Sequence, residues 1–156
     1  MSKNILYQAV RGKSVENVNI LEIKEGHVPV YKHDTDCCCD CMAAINGTMI
    51  IAPKCMATIP LGFAIELPVG YEAQIRPRSG LARNFGVFAV LGTVDEAYRG
   101  EVCAIMCNFS DVPFEIHDGD RICQMKISPY QQFGFNKVPI LSETDRGSNG
   151  FGSTGI

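Results

Sequence analysis

The chemistry-bearing residues of this chain gather in a few short segments, and the richest runs from Arg146 to Ile156. It holds one guanidinium, one aromatic ring (Phe151), three hydroxyl side chains and four glycines. A glycine-rich run leaves backbone N–H groups free to surround an anion. Arg146 can fork onto phosphate oxygens, and Phe151 can lie flat on a nucleobase. Together they suggest a lid that orders over a nucleotide, against the plainer reading of a frayed tail or flexible linker. Gly147, Gly152, Ser153 and Thr154 fit the glycine and hydroxyl spacing of a Walker A loop. Ser153 stands where its lysine belongs, which argues against a P-loop NTPase.

Four other places carry chemistry. Arg76-Pro77-Arg78-Ser79-Gly80-Leu81-Ala82 sets two arginines and a serine where a strand turns into a helix. The free N–H groups of a helix start attract anions; the plainer reading is an N-cap serine beside surface arginines. Leu91 to Glu101 reads as a hairpin-like loop with Asp95 near its start and Tyr98 three residues on. Asp95 has the chemistry of a general base, and Tyr98 offers a flat surface to a sugar, although an aspartate in a turn is commonly just a turn residue. Asp118 to Met125 runs from turn to strand. Alternation sends Arg121 and Gln124 to opposite faces, and Asp120 and Arg121 read as a buried ion pair. Asp40 sits in an apolar strand, with Cys39 and Cys41 facing away from it. A lone buried carboxylate is costly unless paired or near a metal. With phosphates nearby, Mg²⁺ held through one or two waters suits it.

The elements that must position these residues are mostly strands. Val18–Ile23, Met49–Pro53, Cys55–Leu67, Tyr71–Arg76, Val87–Thr93, Glu101–Phe109, Phe114–Ile116 and Ile122–Ile127 are short and β-rich. Turn chemistry at Asn46-Gly47, Pro68-Val69-Gly70, Tyr98-Arg99-Gly100 and Asp118-Gly119-Asp120 separates them. Such spacing reads as a sandwich, jelly roll or barrel, with one or two helical turns over Ser79–Asn84. At 156 residues the simplest organisation is one β domain over residues 1–145, followed by a glycine-rich lid over 146–156. Residues 1–17 form an extension without a motif. The net charge of −3 argues against general nucleic-acid binding, and no apolar run approaches the roughly 20 residues of a membrane span. The first residues lack a leader pattern. This points to a cytoplasmic protein, or a nuclear or host-cytosolic one if eukaryotic or viral, and not a secreted one. The eight cysteines then read as reduced thiols. Within Cys37-Cys38-Cys39-Asp40-Cys41, strand alternation puts Cys37, Cys39 and Cys41 on one face. Small packed hydrophobes suit them better than a zinc site, which draws C-x₂₋₄-C pairs from two places.

Five segments in order, Cys39–Ala43, Pro77–Ala82, Gly92–Gly100, Gly119–Gln124 and Arg146–Gly155, resemble the motifs of the trimeric dUTP pyrophosphatase (dUTPase) family. The resemblance covers about residues 18–156. It implies an all-β, distorted jelly-roll-like fold (dUTPase-like, β-clip) and a homotrimer with exchanged C-terminal tails. It also implies hydrolysis of dUTP to dUMP and pyrophosphate, which limits uracil incorporation into DNA and supplies dUMP for thymidylate synthesis. By position, Asp95 would activate the water that attacks the α-phosphorus, and Asp40 would hold Mg²⁺ through water. Arg78, Ser79, Gly80 and Gln124 would contact phosphates, with Gln124 near the α-phosphate and the water. Tyr98 would pack on deoxyribose. Arg146, Gly152, Ser153 and Thr154 would clamp the γ-phosphate, and Phe151 would stack on uracil. Ala89, Thr93 and Val94 lie in the hairpin that would read the base, largely through its backbone. The chain departs from the family at Cys38-Cys39, where a Gly-Tyr pair is usual, and at Ala89, where an asparagine is usual.

Two other functions compete. A dCTP deaminase of similar fold needs a glutamate where Ile105 stands, and Ile105 cannot shuttle a proton. A nucleotide-gated regulatory member of the family, binding an unidentified protein partner, is compatible with the N-terminal extension and the cysteine run.

Overall fold

The computed structural model describes residues 17–150. Eleven strands and one short helix follow one another there: β1 Asn19–Glu22, β2 Cys39–Met42, β3 Thr48–Ile51, β4 Met56–Pro60, β5 Phe63–Glu66, β6 Tyr71–Arg76, α1 Ser79–Phe85, β7 Val87–Ala89, β8 Gly92–Val94, β9 Cys103–Asn108, β10 Phe114–His117 and β11 Arg121–Pro129. The strands form four sheets, ordered β1-β5, β10-β3, β2-β11-β6-β8 and β4-β9-β7. Every pairing between them is antiparallel. This is the all-β, jelly-roll-like architecture expected. Among the described residues no helix is long and apolar enough to cross a membrane.

Period-two alternation builds the core. In the four-stranded sheet, Cys39 and Cys41 of β2, Cys123 and Met125 of β11, and Ala73 and Ile75 of β6 are all buried. The residues between them, Asp40, Gln124, Gln74 and Arg76, therefore share the opposite face. Phe63, Ile59, Leu61 and Met106 fill the same core from the other sheets. Asn108 is buried but satisfied: its amide donates to the carbonyls of Ile51 and Val112, and its oxygen accepts from Ser110.

Two apolar runs that read as single strands are each broken in two. Cys55–Leu67 splits into β4 and β5 at Gly62, whose φ is +77°. A Cβ there would lie 2.8 Å from the His27 Cβ and 2.9 Å from the Ala44 Cβ, so the close approach needs glycine. Val87–Thr93 splits into β7 and β8 around Val90-Leu91, and the halves join different sheets. β7 pairs with β9 and β8 with β6. The segment before Asp95 is thus a corner between sheets and not a hairpin. Cys37 also departs from expectation: it lies before β2 begins and is exposed, so only Cys39 and Cys41 face inward.

Candidate active site

Two separate groups of the expected residues emerge, at opposite edges of the four-stranded sheet. The first surrounds Asp40 on the outer face. Its carboxylate is 20% exposed and sits between two guanidinium groups, Arg78 Nε at 3.1 Å and Arg121 Nη1 at 3.4 Å. Asp40 is therefore neither lone nor fully buried. Arg78 also donates to the Arg121 carbonyl. Gln124 lies directly opposite Asp40 in the sheet and donates to the Pro77 carbonyl at 2.8 Å. Arg76, next across, is held by two bonds to Gln74 Oε1.

A β-bulge makes this cluster. Register shifts between Arg121 and Cys123, so one extra residue is absorbed in β11. Arg121 then falls opposite Met42, on the same face as Asp40 and Gln124. Strand alternation alone put Arg121 and Gln124 on opposite faces, and the bulge reverses that. Nor do Asp120 and Arg121 pair. Asp120 accepts from the His117 N–H at 2.8 Å and lies 3.5 Å from the His117 ring, which leaves Arg121 for Asp40.

Beside the cluster α1 begins. Arg78, not Ser79, is the N-cap, in extended conformation and with no side-chain cap bond. Ser79 and Gly80 are exposed in the first turn, where backbone N–H groups have no intrahelical acceptor. Gly86, at φ +66°, ends the helix and returns its N–H to Ala82.

The second group lines a cleft of about 320 Å³ at the sheet-switching corner. Val90, Leu91, Gly92, Thr93, Val94 and Asp95 supply one wall, and Thr58, Cys103 and Ile105 face them from β4 and β9. Such a volume lies at the small end of ligand sites. Tyr98 stands at the mouth. Its N–H bonds the Asp95 carbonyl at 3.0 Å, closing a turn, and its hydroxyl donates to the Glu101 carbonyl at 3.0 Å. Gly100 leaves room for that ring: a Cβ there would lie 2.7 Å from the Tyr98 Cζ and closer still to its hydroxyl. Ala89 does not join the cleft. It pairs with Met106 in β7 and is 1% exposed, so its methyl group points into the core. Ile105 does line the cleft, where a deaminase would need a carboxylate.

Asp95 is exposed, and among the described residues its carboxylate accepts no hydrogen bond and forms no ion pair. Its neighbour Glu96 is tethered instead. Glu96 Oε2 accepts the Gly70 N–H at 2.6 Å. That bond, then one from the Tyr130 hydroxyl, holds the Glu96 carboxyl below the usual carboxylate range. The same contact pushes the Tyr130 phenol up. Glu96 thus fixes the catalytic-looking loop to the turn before β6 and to the end of β11. The sequence reading gave no role to Glu96 or Gly100, and it paired Arg121 with Asp120 where the structure pairs it with Asp40. Of these only Gly100, beside a tyrosine in a turn, carried a local signal.

Asp40 and Asp95 lie at the two edges of one sheet, with β11 and β6 between them. Three strand spacings amount to roughly 14 Å. A single chain does not bring the two groups together. Arg146 lies apart from both, bonded through Nε to the Asn149 carbonyl at 2.9 Å. Phe151, Gly152, Ser153 and Thr154 lie outside the described residues, as do residues 1–16 of the N-terminal extension. Residues 131–150 are exposed along their whole length, with Phe135 at 98% and Leu141 at 81%.

The family model described as dUTPase matches residues 24–155. The deoxyuridine 5'-triphosphate nucleotidohydrolase of Orientia tsutsugamushi (strain Boryong) is 47% identical over 131 residues, covering 83% of this chain and 88% of its own. Among solved structures, a mutant dUTPase of Staphylococcus bacteriophage 80alpha with dUpNHpp superposes with a TM-score of 0.83 at 22% identity, covering 91% of this chain and all of that one. A mutant dUTPase from phage phi11 of S. aureus, in which coordination of a structural Mg(II) ion is described, gives 0.72 at 21% identity, covering 80% and 98%. At these identities the two structures speak for the fold.

Proposed function

The chain belongs to the dUTPase family, and from that premise we propose how its own residues divide the hydrolysis of dUTP to dUMP and pyrophosphate. The observation that carries the reading is the pair of half-sites. An aspartate unpaired among the described residues stands at the mouth of a nucleoside-sized cleft, and an arginine-rich phosphate face lies one sheet-width away. Deoxyuridine enters the corner cleft, read by backbone groups of the Val90–Val94 segment, since the Ala89 side chain is buried. Tyr98 packs against the deoxyribose, where a 2′-hydroxyl would clash. Asp95 takes the proton of the attacking water. Arg78, the first-turn groups of Ser79 and Gly80, and Gln124 hold the phosphates and neutralise developing charge. Arg146, Gly152, Ser153 and Thr154 close over the γ-phosphate, and Phe151 covers the base.

A divalent cation fits Asp40. Among the described residues no cluster of three or more His, Cys, Asp or Glu side chains offers a protein cage. One carboxylate that shares its ligands with water and phosphate is the donor set Mg²⁺ prefers. When bound, the ion supplies charge neutralisation on the triphosphate. Asp40 holds its place through Arg78 and Arg121, which gain new anionic partners when phosphates arrive.

The separation of Asp40 from Asp95 and the exposed apolar arm both support a homotrimer, in which one copy's cleft meets another copy's phosphate face. A pyrophosphate-release assay across all four canonical dNTPs, dUTP and UTP tests the activity. We expect dUTP to exceed dTTP, dCTP and UTP by orders of magnitude in kcat/KM, and comparable values for dCTP or UTP would overturn the assignment. Mixing tests the assembly. Asp95→Asn and Arg78→Ala chains, each inactive alone, should regain about one quarter of wild-type activity when randomly reassembled, because half the phosphate faces and half the clefts stay intact. No recovery would place each site within one chain.

A further inference from the structure

Six of the eight cysteines are accounted for by packing or isolation. Cys39, Cys41, Cys107 and Cys123 are buried in the apolar interior, and Cys103 is a single thiol on the cleft wall. Cys55 is a single exposed thiol. Cys37 and Cys38 differ. Cys37 is exposed, Cys38 is partly so, and their sulfurs lie 3.6 Å apart. Neither fills the core, and the proposed hydrolysis uses neither.

We propose that Cys37 and Cys38 form a thiol–disulfide switch at the edge of the phosphate-binding face, closing by exchange with a low-molecular-weight disulfide and lowering turnover when closed. The Cys37 thiolate attacks one sulfur of the small disulfide and expels a small thiolate, leaving a mixed disulfide on Cys37. The Cys38 thiolate then attacks the Cys37 sulfur and expels the second. Two protein thiols lose two electrons and two protons; one small disulfide gains both and leaves as two thiols.

Geometry makes this bond a reversible one. A trans peptide holds neighbouring Cα atoms about 3.8 Å apart, short of the roughly 4.4–6.8 Å that ordinary disulfides span. The closed ring is strained, and strained, exposed disulfides belong to the labile, regulatory class. The strain also has a short path to the site. The preceding turn is pinned by the Asp36 carboxylate on the His33 N–H at 2.8 Å. Beyond Cys38, the Asp40 backbone bonds Val30 on both sides, at 2.9 and 3.2 Å. A twist forced on the peptide between Cys37 and Cys38 is therefore caught between fixed points. It falls on the start of β2, where Asp40 lies between Arg78 and Arg121.

The test uses the full chain, equilibrated with oxidised or reduced glutathione, then quenched in acid and mapped by mass spectrometry. Expected is the loss of two hydrogens on the peptide containing Cys37 and Cys38, with no retained glutathione. dUTP hydrolysis should fall several-fold and return fully with a reductant. Cys37→Ser should abolish both changes and, since Cys37 is exposed, leave the reduced enzyme's activity unchanged. A stable glutathione adduct on Cys37, or no oxidation there, would overturn the switch. So would closure without any change in turnover. The turnover effect rests on the role proposed for Asp40, whereas the mass change does not. Closure in a protein that never hydrolyses dUTP would therefore count against the hydrolysis and not against the dithiol chemistry.

Discussion

The two edges of the four-stranded sheet hold their carboxylates in opposite ways. At one edge, Asp40 is gripped by Arg78 and Arg121, and Gln124 is tied to the Pro77 carbonyl. At the other, Asp95 is exposed and unpaired among the described residues, while its neighbour Glu96 takes the structural bonds. A phosphate-binding face can afford internal ion pairs, because an incoming polyphosphate exchanges one anionic partner for another. A general base cannot be held this way. An arginine on Asp95 would favour its ionised form and block the water it is proposed to activate. On the proposed mechanism the loop divides the two jobs between adjacent residues, Asp95 for the proton and Glu96 for the anchoring.

The largest expected effect breaks the free side of that comparison. Asp95→Asn keeps the size and removes proton acceptance, so kcat should fall by about 10²–10⁴-fold with nucleotide binding retained. Because Asp95 is exposed, and unpaired among the described residues, the variant's melting temperature should match wild type. Activity within a few-fold of wild type would remove Asp95 as the base.

Next in size is the tail. Deleting residues 146–156 should leave the β core folded, since the described bonds of Arg146 and Gly147 reach only Thr144 and Asn149. Turnover should nearly vanish. Arg146→Ala should lower kcat more than it weakens ground-state binding, because its charge meets the pyrophosphate as that group gains charge. Limited proteolysis with and without a non-hydrolysable dUTP analogue checks the same point: the analogue should protect the tail, and equal cleavage in both states would leave it a frayed end.

A third substitution sharpens the cleft side. Gly100→Ala forces the added methyl group against the Tyr98 ring. The tyrosine must leave its bond to the Glu101 carbonyl, and the surface offered to deoxyribose goes with it. KM for dUTP should rise about tenfold with a smaller change in kcat, the pattern of lost uniform binding. Discrimination against UTP should weaken in parallel. Unchanged kinetics would mean that Tyr98 does not shape the sugar site.

Residue types carried most of the site in the sequence, and their mutual placement carried least. Asp40, Arg78, Gln124, Asp95 and Tyr98 were legible because each sits in a short segment with its own turn or strand signature. The strands themselves were legible from alternation, as in Tyr71–Arg76. What failed was geometry that depends on one extra residue or one bend. The bulge in β11 inverts the side to which Arg121 points, and no local pattern in Arg121-Ile122-Cys123-Gln124 announces it. The corner at Val90-Leu91 looks like a continuous apolar run, because both halves are apolar for different reasons: Val87 and Ala89 face the core, while Val90 and Leu91 line the cleft. Ala89 counted as a base contact by spacing, yet pairing with β9 turns it inward. Glu96 was invisible because its partners, Gly70 and Tyr130, lie far away in sequence.

The smallest expected effect concerns that tether. Glu96 keeps its carboxyl below the ordinary range mainly through the Gly70 N–H, with help from the Tyr130 hydroxyl. A depressed carboxylate contributes stability that is fully present above its unfolded value, about 4.3, and is lost as pH falls through the lowered folded value. Glu96→Gln keeps a hydrogen-bond acceptor but removes the charge. Its melting temperature should therefore lie slightly below wild type at pH 7, and the two curves should converge in acid, once Glu96 is protonated in the folded protein. At pH 7 the Asp95 loop should also be held less firmly, giving a modest fall in kcat with little change in KM. A gap in melting temperature that stays constant down to acid pH would assign the loss to shape and not to charge. A variant more stable than wild type at pH 7 would show that Glu96 strains the loop it was taken to anchor.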